Sequence, residues 1–156
     1  IGSPVLFENV PVSHSKNAFA KSAEINTLCD AFAKILDTKL WGICIDTAHL
    51  WSCGLNITEY KTQQDWFKKL SKSATSQIKA FHLNGSKNKT FNKSRDMHYV
   101  AYSADDDIYP VSRPFSELGI KAILDFAKLR KIPIVCEINR GFENDVKFSM
   151  ETLLNN

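Results

Sequence analysis

The sequence has no long apolar run: the longest are about five to seven residues, far short of the ~20 a membrane-spanning helix requires. It has no G-x-G-x-x-G turn, which argues against a dinucleotide-binding strand-to-helix entry. It has no CxxC pair: Cys29, Cys44, Cys53 and Cys136 stand 15, 9 and 83 positions apart, the pattern of reduced thiols in an intracellular protein rather than a disulfide framework. Ile1-Gly2-Ser3-Pro4 lacks a basic start followed by an apolar stretch, so no secretory signal is read there. No Ser/His/Asp or Cys/His arrangement suggests a protein nucleophile. Charge of one sign is also scarce, because 20 Lys+Arg against 17 Asp+Glu leave only +3, too mild to mark a nucleic-acid binder by itself.

What is present is one ordinary globular composition. With 44% hydrophobic and 24% charged residues, the 156 residues can bury one core and are neither disordered nor fibrous, so 1–156 is expected to be a single domain. Four short apolar runs each end in a polar residue. Val5-Leu6-Phe7 leads to Glu8, Gly42-Ile43-Cys44-Ile45 to Asp46, Ile78-Lys79-Ala80-Phe81 to His82, and Ile132-Pro133-Ile134-Val135-Cys136 to Glu137. Such runs read as strands buried on both faces of a parallel sheet.

The intervening segments carry the helical period instead. Ile25, Leu28, Cys29, Phe32, Ile35 and Leu36 form one apolar stripe. Thr58 is expected to cap a second helix whose apolar side holds Trp66, Phe67 and Leu70. A third turns Leu118, Ala122, Ile123 or Leu124, and Leu129 inward and ends in Lys128, Arg130 and Lys131. A fourth runs from about Asn144 to Leu154. Four βα repeats mean an α/β fold with right-handed crossovers. A closed (β/α)₈ barrel needs ~250 residues, so the chain is expected to supply about the last four βα units of a TIM barrel, with the first half missing. A small open doubly wound sheet is the structural alternative. Residues 83–113 read as a long polar loop.

The residues at the strand ends carry the chemistry. In a parallel barrel those ends meet on one face, so Glu8, Asp46, His82 and Glu137 would point into a common space. Any one alone could be a helix cap or a salt-bridged strand end. Three carboxylates together need a positive partner, which a divalent cation supplies. His49, three residues after Asp46, and the pair Asp96-Met97-His98 add a second set of N/O ligands. Mixed imidazole and carboxylate ligation suits zinc, manganese or iron. His14, in a polar loop, reads as solvent-exposed.

These motifs resemble a specific family. Leu6-Phe7-Glu8-Asn9, Gly42-Ile43-Cys44-Ile45-Asp46-Thr47-Ala48-His49, His82-Leu83-Asn84-Gly85-Ser86-Lys87 and Asp96-Met97-His98 resemble, in order and spacing, the endonuclease IV family of apurinic/apyrimidinic (AP) endonucleases. The resemblance implies an xylose-isomerase-like TIM barrel holding three zinc ions per complete protein. Such an enzyme acts in base-excision DNA repair, hydrolysing the phosphodiester 5′ to an abasic site in double-stranded DNA by metal-activated hydroxide. Glu8 would bridge two metals, Asp46, His82 and Glu137 would complete one of them, and His49, Asp96 and His98 would hold the third. Two further histidine ligands come, in that family, from the first half of the barrel. The resemblance also implies a monomer when complete and no membrane partner. The sequence departs from the family at Gly85, where an acidic residue is usual, at Met97, and in 101–107, where a glycine-rich stretch is common.

Charge supports an anionic substrate: with Glu8, Asp46, Asp96 and Glu137 set aside as metal-bound, 13 acids remain against 20 bases. Lys87, Lys89, Lys93 and Arg95 gather beside His82 and His98, where DNA phosphates could be met. Trp51 could stack on DNA or pack in the core. The rival reading is a sugar isomerase or epimerase on the same barrel, which uses one metal, manganese being possible, within the Glu8, Asp46, His82 and Glu137 ring. His49 and Asp96-x-His98 would have no work there. A non-catalytic half-barrel is the third.

Overall fold

A computed structural model describes residues 3–11, 18–86, 98, 99, 101, 117–137, 147 and 151. The elements run β1 (Val5–Glu8), α1 (Ser22–Phe32), β2 (Trp41–Asp46), α2 (Thr47–Ser52), α3 (Tyr60–Lys68), α4 (Lys72–Gln77), β3 (Ile78–His82), β4 (Gly85–Ser86), β5 (His98–Tyr99), α5 (Glu117–Arg130) and β6 (Ile134–Val135). The four main strands form one parallel sheet in the order β1-β2-β3-β6, which requires the helices to return the chain between strands. Lys147 and Glu151 are helical, and the rest of the helix expected over 144–154 lies outside the described residues, as does His14.

Central and edge strands differ in burial. Every residue of β2 is buried, as its continuous apolar run predicts. Every residue of β1 is exposed, with Val5 at 62%, and Val135 of β6 is 47% exposed. The expectation of two-sided burial therefore fails for β1 and β6. Among the described residues each of them has a strand on one side only.

The helices pack on the sheet through an aromatic cluster. Phe67 of α3 stacks on Phe126 of α5 at 3.9 Å between ring centroids, and the edge of Phe81 from β3 meets both. Tyr60 ties α3 to α5 by donating its hydroxyl to Asp125 at 2.8 Å. Trp66 donates its indole N–H to the Ala20 carbonyl at 2.9 Å, joining α3 to the segment before α1.

Three expectations about the helices are corrected. The first helix ends at Phe32, and beyond it Ile35 and Leu36 are exposed, so the apolar stripe outlasts the helix. Glu59, not Thr58, occupies the cap of α3; Asn56 Oδ1 accepts from the Thr58 N–H and hydroxyl, holding Thr58 in the preceding turn. In α5 the buried face is Ala122, Ile123, Leu124, Phe126 and Ala127, whereas Leu129 is 77% exposed. Positions 122, 123, 126 and 127 keep the helical spacing, and 129 falls off that face. Among the described residues no helix is long and apolar enough to cross a membrane.

Phe81 is fully buried at the meeting point of α3, α5 and the sheet. Phe81→Ala is expected to cost about 3–5 kcal/mol of folding stability, read as a lower urea midpoint. An unchanged midpoint would contradict this account of the core.

Candidate metal centre

Parallel strands in register bring their C-terminal ends to one rim. Glu8 lies opposite Cys44, Asp46 opposite His82, and His82 opposite Val135, two residues before Glu137. The four expected strand-end residues do converge. Nδ1 of His82 is 2.8 Å from Glu137 Oε2, 3.1 Å from Glu8 Oε1 and 4.0 Å from Asp46 Oδ2. Glu8, Asp46, His82 and Glu137 each offer a ligand atom, all within 4.8 Å of one another.

A second set overlaps the first. Asp46, His49 and His98 also bring ligand atoms within 4.8 Å of one another. Asp46 is the N-cap of α2 as well: Oδ1 accepts from the His49 backbone N–H at 2.9 Å. The cap and the candidate ligand are thus the same side chain, because a carboxylate has a second oxygen to give. That oxygen, Oδ2, lies 3.5 Å from His98 Nε2. His49 Nδ1 meets the Asn9 carbonyl at 2.6 Å and can do so only as donor, which leaves Nε2 as the ring nitrogen for another partner. That Nε2 faces His98 Nε2 at 3.3 Å. Two ring nitrogens and a carboxylate oxygen so arranged form a donor set of the kind that holds a cation.

Burial sets the electrostatics. Asp46 is wholly buried, and burial pushes its carboxyl above the usual value despite His49, His98 and Asn84. Burial also raises Glu8, but its hydrogen bond to His82 and the charges of His82, His49 and His98 win and hold it lower. Hydrogen bonds to Cys44 and Glu8 push the His82 imidazole up to about 10. Within the set of Glu8, Asp46, His82 and Glu137, His82 is the single basic group among three carboxyl groups. Among the described residues no Lys or Arg forms a salt bridge with Glu8, Asp46 or Glu137. The donor chemistry therefore fits divalent cations, whose ligand atoms at ~2.1 Å from the ion would lie at most ~4.2 Å apart. The distances from His82 Nδ1 and His98 Nε2 to their carboxylates already fall in that range.

Two buried asparagines hold the site together, and sequence reasoning gave them no role. Asn9 Oδ1 accepts from the Asp46 N–H at 2.7 Å while its amide donates to the Asp46 carbonyl at 3.3 Å, tying the segment after β1 to the end of β2. Asn84 accepts from the Glu137 N–H at 2.9 Å and donates to Asp46 Oδ2 at 2.5 Å and Glu137 Oε2 at 3.4 Å. Thr47 completes the link, donating its hydroxyl to the Asn84 carbonyl. The signal was present in the sequence as a polar residue one or two places past a strand-end ligand. The loop expected over 83–113 also contains a structured part: Gly85 pairs with Tyr99 and Ser86 with His98, antiparallel, which presents the His98 ring.

Asp96, Lys87, Lys89, Lys93 and Arg95 lie outside the described residues. Of the two alternatives for Trp51, the structure takes the core: the residue is 4% exposed and packed in the hydrophobic cluster.

Replacing Asn84 by Ala removes the amide donor from Asp46 and the acceptor from the Glu137 N–H. It is expected to weaken divalent-ion binding about 10–100-fold, read by cobalt(II) titration against a chelator. Unchanged affinity would mean that Asn84 does not hold the ligands.

No family model matches the sequence. The chain is 30% identical over 135 residues to the "Probable AP endonuclease" of African swine fever virus (isolate Tick/Malawi/Lil 20-1/1983), covering 82% of this chain and 44% of that protein. Its fold matches the crystal structure of AsfvAP:AG with a TM-score of 0.69 and 21% identity, over 97% of this chain and 51% of the other. It matches endonuclease IV from Thermus thermophilus with a TM-score of 0.66 and 18% identity, over 97% of this chain and 50% of the other. The chain thus spans about half the length of the proteins it resembles, and its parallel sheet with flanking helices is half of their TIM barrel. Sequence and fold together assign the chain to the endonuclease IV family of AP endonucleases.

Proposed function

We propose that the chain is the C-terminal half of a zinc-dependent AP endonuclease, which hydrolyses the phosphodiester 5′ to an abasic site in double-stranded DNA. The observation that carries this reading is the pair of overlapping donor sets: Glu8, Asp46, His82 and Glu137 beside Asp46, His49 and His98. A one-metal isomerase would use only the first of them. The AP endonuclease relative supports the choice of substrate.

Each side chain has a separable task. Glu8 Oε1 sits 3.1 Å from His82 Nδ1, and Glu8 would be shared between the zinc held by Asp46, His82 and Glu137 and a zinc whose histidines come from the first half of the barrel. Asp46, His82 and Glu137 would hold one zinc, and His49 and His98, with Asp96 from outside the described residues, another. When bound, zinc would bring the pKa of water near neutrality and offset charge building on the phosphate. Asn9 and Asn84 hold the donors in place, so that little reorganisation accompanies the reaction. Lys87, Lys89, Lys93 and Arg95 would meet DNA phosphates beside the site.

We also propose that further βα units complete the barrel at the outer edges of β1 and β6. The coverage of only half of each relative and the exposed Val5, Leu6 and Val135 at those edges support this. Two ligands of a third zinc would come from those units.

The test uses the complete protein and a duplex oligonucleotide with one abasic site. Glu8→Ala and His82→Ala are each expected to lower nicking by at least about 10²–10³-fold with the circular-dichroism spectrum unchanged. Full nicking by either variant would refute the assigned roles. Elemental analysis separates the rival: three zinc ions per protein support the nuclease, and a single manganese the isomerase.

A further inference from the structure

The face opposite the metal ligands carries a cluster that the proposed hydrolysis does not use. Where α4 runs into β3 and α5 turns toward β6, a cleft of about 420 Å³ opens between Lys72, Thr75, Lys79, Arg130 and Lys131. It lies at the N-terminal end of β3, whose other end carries His82. Four steps of ~3.3 Å place the two ends of that strand roughly 13 Å apart, so the cleft is separate from the metal rim. Its four cations exceed the net charge of +3 carried by the whole chain. No carboxylate lines it, and among the described residues none of the four forms a salt bridge.

The local structure positions three of these four cations. Arg130 is stacked, with its guanidinium carbon 4.0 Å from the centre of the Phe126 ring, so its N–H edge stays available. Lys79 gives one N–H to the Ser76 carbonyl at 2.7 Å and keeps two more donors. Lys131 has a positive φ of 56° and ends α5: its N–H bonds to the Lys128 carbonyl and that of Ile132 to the Ala127 carbonyl. This helix-ending motif normally takes glycine, because a Cβ is strained in the left-handed region. A lysine therefore stands where the backbone favours a residue with no side chain. Capping the ends of α4 and α5 accounts for some positive charge here. It does not account for the strained position of one lysine or for four cations around one hollow.

We infer that this cleft is a second anion site, built to bind a phosphoryl group through Lys72, Lys79, Arg130 and Lys131, with the Thr75 hydroxyl as a neutral donor. The group can arrive as free phosphate or as the backbone of a nucleic-acid strand, and the two sources share the same chemistry. The inference does not rest on the reaction proposed at the metal rim.

The test follows the backbone amides of Thr75, Lys79 and Lys131 by NMR in the complete protein. Inorganic phosphate is titrated in one series and a short undamaged oligonucleotide in another. Saturable shifts of these amides by both ligands support a nucleic-acid backbone contact, and shifts by phosphate alone support a small phosphoryl ligand. Lys72→Gln and Lys131→Gly are each expected to weaken phosphate binding at these amides about ten-fold. Lys131→Gly is also expected to raise Tm, because glycine relieves the strain, so weaker binding there cannot be put down to damage to the fold. No saturable shift with phosphate, or a raised Tm with unchanged phosphate binding, overturns the inference.

Discussion

One wholly buried carboxylate governs the rest of this structure. Asp46 sits at the end of the central strand β2, with one oxygen committed to the turn of α2 and the other shared between Asn84 and His98. A charge in that position, with two more carboxylates nearby, must be met by imidazoles and cations or it would oppose folding. The parallel register, the polar residues at each strand end and the short pair β4–β5 all serve to bring those partners to it. The site is therefore a consequence of the sheet, and the sheet in turn is loaded at one rim with carboxylates that, among the described residues, no lysine or arginine pairs with.

Much of this was legible in the sequence. The four apolar runs became the four parallel strands, and the first polar residue after each became a ligand candidate, because strand ends in a parallel sheet share one face. Cap and candidate ligand, weighed as alternatives for such residues, are compatible at Asp46, where Oδ1 serves the cap and Oδ2 faces His98. What stayed hidden had physical reasons. Two-residue strands such as β4 and β5 leave no alternation to detect, so the segment beyond His82 read as loop. Asn9 and Asn84 looked like ordinary turn residues, since nothing local reveals that an amide will pair with backbone 37 or 53 positions away.

Exposure was the least predictable property. Val5, Leu6 and Phe7 form a good strand by composition, but burial depends on what lies on both sides of a strand, and composition records only the strand itself. Ile35 and Leu36 continue the period of α1 into a segment that is no longer helical, so the stripe survived while the helix did not. Trp51 shows the same limit from the other direction. A tryptophan two residues after a candidate ligand histidine could face a substrate or the core, and α2 turns it into the core.

The double service of Asp46 has a consequence for how the centre takes up ions. Because Asp46 stands within both groups of donor atoms, an ion held by either group would reduce the negative charge left for the other. Were ions bound at both, their occupancies would be linked: the first would meet a surplus of anionic charge, and each later one would bind more weakly than an isolated set would allow. A preparation short of metal should accordingly hold a majority of singly loaded molecules, not an even mixture of empty and full ones.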